Sequence, residues 1–106
     1  MQGIYLKLFV PEELRLHGAL LYEWILKQAE IIGIPGGSAV RAMAGFGRHG
    51  HLHEQHFFEL AGTLPIVLEF FAPAEAIDQL LFLIEAENKS LFFIKFNAEA
   101  GQTAPH

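Results

Sequence analysis

Three short runs of this chain are apolar on both of the faces that a β-strand would present. In residues 4–10, Ile4, Leu6, Leu8 and Val10 alternate with Tyr5, Lys7 and Phe9, so Lys7 alone interrupts two apolar faces. In residues 64–71, Val67 and Phe71 sit opposite Ile66, Leu68 and Phe70, and in residues 91–96, Phe92, Ile94 and Phe96 sit opposite Leu91 and Phe93. A strand of this kind needs cover on both sides, whereas an antiparallel sheet with one solvated face alternates apolar with polar.

The intervening segments limit what can supply that cover. Residues 14–32 read as one helix, with Leu21, Ile25, Ala29 and Ile32 on one side and Leu20, Trp24 and Ile31 widening the stripe. Glu12 and Glu13 suit its start, and Gly33 followed by Pro35 suits its end. Residues 38–46 form a weaker strand of small side chains. A second helix begins near Pro73 and buries Ile77, Leu80, Leu81 and Ile84. The order is β-α-β-β-α-β, the ferredoxin-like α+β arrangement, in which two helices cover one face of an antiparallel sheet. The second face then has no cover within the chain. Of the 106 residues, 52% are hydrophobic and ten are Phe, more than a chain that buries only about two-thirds of its unfolded surface readily hides. A closed symmetric oligomer is the simplest remedy.

One domain is expected over residues 1–97, with a flexible tail at 98–106. The formal net charge of -5 argues against a nucleic-acid partner. With no Cys there is neither disulfide nor thiolate chemistry, which fits a cytoplasmic protein. No charged segment precedes an apolar one at the start, and no apolar run reaches the ~18 residues of a membrane helix, so neither a signal peptide nor a membrane-embedded chain is expected.

Chemistry concentrates between the second and third strands. Residues 45–56 hold three glycines and four of the six histidines. Three readings stay open there. Gly45, Gly47 and Gly50 permit a concave site of backbone N–H groups for an anion, to which Arg48 adds a forked donor. Arg41 precedes them on the strand, and Lys89, in the polar turn after the second helix, can come across from a neighbouring subunit. Alternatively, His49, His51, His53 and His56, with Glu54, offer imidazole and carboxylate ligands to Zn, Ni or Cu, although without Cys their spacing matches no closed structural zinc pattern. The third reading is a solvated loop, with the chain an interaction scaffold that binds no ligand. Enzyme signatures are lacking: Ser38, Thr63 and Ser90 have no recognisable base motif, and no Walker pattern occurs.

Gly37-Ser38-Ala39-Val40, Gly45-Phe46-Gly47-Arg48-His49-Gly50 and Leu64-Pro65-Ile66-Val67-Leu68-Glu69 together resemble the PII-like superfamily of small signalling proteins, in particular its branch of uncharacterised bacterial domains. The resemblance implies a homotrimer with its sheets turned inward. It implies a small effector, such as an adenine nucleotide, in the cleft between subunits at the base of the long loop, with Arg41, Gly45, Gly47, Arg48 and Lys89 as candidate contacts. It also implies that the loop touches a regulated partner, such as a membrane transporter or channel. The loop carries no Tyr for modification, since the only tyrosines are Tyr5 and Tyr22.

Overall fold

The computed structural model describes residues 1–43 and 64–105. In chain order these residues form β1 (Gln2–Pro11), β2 (Arg15–Leu16), β3 (Ala19–Leu20), α1 (Leu21–Ile31), β4 (Gly37–Arg41), β5 (Pro65–Ala72), α2 (Ala74–Ala86) and β6 (Phe92–Glu99). The main sheet runs β4-β5-β1-β6 with every neighbouring pair antiparallel. This is the ferredoxin-like sheet expected from the alternation of strands and helices, and β1 and β5 are its central pair.

Period-two burial shows which face the helices cover. Leu6, Leu8 and Val10 of β1 and Ile66, Leu68, Phe70 and Ala72 of β5 are buried, and they form one cluster with Leu21, Ile25 and Ala29 of α1 and Ile77, Leu80 and Ile84 of α2. Each large aliphatic side chain in this cluster contributes about 1.5–3 kcal/mol relative to leaving it in water. Ile31, expected on the buried stripe of α1, is instead 64% exposed. It lies about 200° around the helix from Ala29, off the face that Leu21, Ile25 and Ala29 bury.

Residues 14–20, expected to be helical, form a hairpin instead. Arg15 pairs with Leu20 and Leu16 with Ala19, leaving His17 and Gly18 as a two-residue loop with φ of 52° and 82°. Positive φ at both positions is the type I′ turn, whose twist suits a tight hairpin. In a helix Gly18 would cost about 1 kcal/mol relative to Ala. Leu14 accepts a backbone bond from Leu21 at 2.7 Å, so α1 starts only after the hairpin closes. Glu12 and Glu13 consequently belong to the turn that follows β1, not to a helix start.

Both helices end in the same motif. After α1, Gly33 (φ 94°) donates to Glu30 and Ile34 donates to Ala29. After α2, Asn88 (φ 60°) donates to Glu85 and Lys89 donates to Ile84. These are Schellman caps, each with its left-handed residue immediately after the capping residue, Ile32 or Glu87. At the other terminus β6 runs on through Glu99, so the expected tail boundary at 97/98 falls inside the strand. Met1 and Ala100 exchange backbone bonds beyond it.

Candidate functional site

At one end of the sheet β1 stops, β4 stops, β5 starts and β6 starts. Arg41 closes β4 opposite Ile66, and Phe92 opens β6 opposite Phe9. Arg41 and the turn carrying Lys89 therefore share an end but lie at opposite edges, with β5 and β1 between them. Three strand spacings put those edges roughly 14 Å apart, so one chain does not bring the two cations together.

Arg41 is already engaged. Its guanidinium pairs with Glu12, and that contact holds the Glu12 carboxyl below its ordinary pKa of 4.5. The pairing follows from the turn after β1: Leu14 donates to Pro11 at 3.2 Å, which returns the chain beside the end of β4.

Lys89 is half-buried on the rim of a groove of about 290 Å³ between α2 and β6, whose base includes Leu8, Leu81 and Phe93. Asn88 sets its position through the left-handed cap described above. The hairpin braces the same turn, because Nε2 of His17 lies 3.0 Å from Oε1 of Glu87. His17 is thus exposed at a hairpin tip with an acidic neighbour at the end of α2.

The remaining candidates Gly45, Gly47, Arg48, His49, His51, His53 and His56 lie outside the described residues. Among the described residues no group of three His, Asp or Glu side chains is placed to hold a metal ion.

The sheet face turned away from the helices is built as the sequence leads one to expect. Phe9, Val67 and Phe71 share it with Val40, Phe92, Ile94 and Phe96, of which the last four are exposed at 51%, 42%, 43% and 53%. Tyr5 stacks on Phe96 with centroids 5.0 Å apart, and Phe9 meets Phe92 at 5.5 Å. One polar cluster interrupts this surface. Glu69 pairs across the strands with Lys7, and the Tyr5 hydroxyl donates to the same carboxylate. That hydrogen bond, followed by burial, pushes the Tyr5 hydroxyl up to about 12. The sequence placed Tyr5 and Lys7 on one face and Glu69 in the third strand, but did not join the three. The signal was a second charge at an odd position of an apolar strand.

No helix among the described residues is long and apolar enough to cross a membrane.

With this geometry in view, comparison with known proteins is informative. The profile of the DUF190 family, described as "Uncharacterized ACR", matches residues 3–94. The UPF0166 protein of Aquifex aeolicus (strain VF5) is 28% identical over 90 residues, covering 85% of this chain and 86% of its own. Among solved structures, CPII of Thiomonas intermedia K12 bound to ADP, AMP and acetate superimposes with a TM-score of 0.65 at 16% identity, covering 95% of this chain and 90% of that one. A second structure of CPII, described as a nitrogen regulatory PII-like protein and bound to ADP, AMP and bicarbonate, gives 0.64 at 17% identity, covering 98% of both chains. The chain belongs to the DUF190 family, and its fold is that of PII-like proteins.

Proposed function

We propose that this DUF190 chain is a regulatory protein, not an enzyme, which assembles as a homotrimer and binds a small anionic effector where two subunits meet. The observation that carries this is the division of Arg41 and Lys89 between the two edges of one sheet end. A ligand held by both cations needs the β4 edge of one copy beside the β6 edge of another, and the apolar outer face supplies the drive to bring copies together. The ADP and AMP bound by CPII make an adenine nucleotide the first ligand to test. The connection 44–63 leaves from Arg41's end of the sheet, so its Gly45, Gly47 and Arg48 join this effector site, and the same connection is the segment offered to a regulated protein partner.

Calorimetry with ADP and AMP tests the reading. Lys89→Ala and Arg48→Ala are each expected to weaken binding roughly ten- to a hundredfold, since a charge-assisted bond contributes on the order of 1.5–3 kcal/mol. Light scattering should find both variants still trimeric. A parent that binds neither nucleotide, or variants with unchanged affinity, would remove this site.

A further inference from the structure

The polar cluster on the outer face leaves bonding capacity unused. Lys7 Nζ lies 3.9 Å from Glu69 Oε2, close enough for Coulombic attraction but beyond hydrogen-bonding distance. Its three N–H donors therefore still need acceptors. Tyr5 and Lys7 both approach Oε2 of Glu69, and no described residue engages Oε1. The two charged side chains are 35% and 32% exposed, set among Phe9, Phe71, Ile94 and Phe96.

This arrangement discriminates between possible covers. A purely apolar partner would strand the ammonium donors and a carboxylate oxygen, and a buried charge without partners is costly. A partner of one sign would satisfy one group and repel the other. A second copy of the same face offers one donor group and one acceptor group with matching apolar surroundings. In a closed ring the contact is head-to-tail, so each copy presents its donor to one neighbour and its acceptor to the other. We propose that Lys7 of one chain pairs with Glu69 of the next, so that the loose pair within each chain becomes a link in a ring and sets the register in which the outer faces meet. The inference rests on the self-assembly proposed above. Polar groups within apolar interfaces are best attested in this role, as selectors of register and oligomer state. Tyr5 is the positioning residue: its bond to Oε2 leaves Oε1 as the carboxylate oxygen that no described residue engages.

Charge reversal separates a link between chains from a pair within one. K7E and E69K each place like charges side by side, and each is expected to raise the concentration for half-assembly at least about tenfold, as like-charge contacts across interfaces do. Mixing K7E with E69K chains should restore assembly in part, because a mixed ring of three has two matched links and one like-charged link, and native mass spectrometry should find mixed species. Within each variant chain the original pair stays broken, so only contact between chains explains the rescue. If the mixture assembles no better than its components, the pair acts within the chain and the proposal is overturned. Single variants that assemble like the parent overturn it as well. A monomeric parent removes the self-assembly reading, and this inference with it, whereas an assembling parent without rescue removes this inference alone. Should either reversal fail to fold by circular dichroism, K7Q and E69Q replace them. Each is then expected to weaken assembly in the same direction, and parental behaviour in both overturns the link.

Discussion

The ion pair of Glu12 and Arg41 has a pH signature. Glu12 titrates below its ordinary 4.5 because the Arg41 guanidinium bonds its ionised form. A carboxylate with a lowered folded-state pKa contributes stability that is complete above the unfolded value and is lost as pH falls through the folded one. Glu12→Gln should therefore lower the melting temperature at neutral pH, and the deficit should shrink as the pH falls below 4.5 in thermal scans. The same variant frees Arg41, so it should bind the effector at least as well as the parent in calorimetry. Tyr5 behaves in the opposite sense. With its hydroxyl raised from 10.0 to about 12, the contribution of its bond to Glu69 is full below pH 10 and fades as pH rises towards the folded value. Absorbance titration should show one late-ionising phenol, and Glu69→Gln should bring it back down. None of this was legible from single residues. Glu12 looked like a helix-start acid because its partner is fixed by the register of β4 beside β5 and β1, which no local pattern records.

At the scale of elements, most of the architecture was legible. The strands β1, β5 and β6 were legible as short apolar runs rich in β-branched and aromatic residues, and α2 as a helical stripe. The hairpin β2–β3 was not read because Leu14, Leu16 and Leu20 suit a helical stripe as well as a short ladder. The deciding signal was the dipeptide His17-Gly18, a turn pair lying between them. Gly18→Ala should cost about 1–2 kcal/mol in denaturant unfolding, since an L side chain is strained at positive φ. Asn88 gives a second test. Asn88→Gly should leave stability and nucleotide affinity near parental. Asn88→Val should lower both, because a β-branched residue resists the left-handed cap that sets Lys89. The candidates between Gly45 and His56 were legible as chemistry, through glycine and histidine spacing, but they lie outside the described residues.

At the scale of the whole molecule, the sequence correctly marked a sheet with two apolar faces and helices enough for one. What it did not mark was that Arg41 and Lys89 share an end of the sheet at opposite edges, because that depends on the order β4-β5-β1-β6. Phe96→Asp places a charge in the aromatic surface beside Tyr5 and should leave a folded monomer by light scattering and circular dichroism. Intact assembly in that variant would show that copies meet elsewhere. The division of the two cations also bears on how the proposed regulator would respond to its own abundance. A ligand held between copies reports the concentration of the chain as well as its own. Dilution would desensitise the system before any ligand was removed, and a modest fall in expression would blunt the response more than proportionally. Ligand, in turn, would protect assembled chains from dissociation, making the bound signal slower to fade than its source.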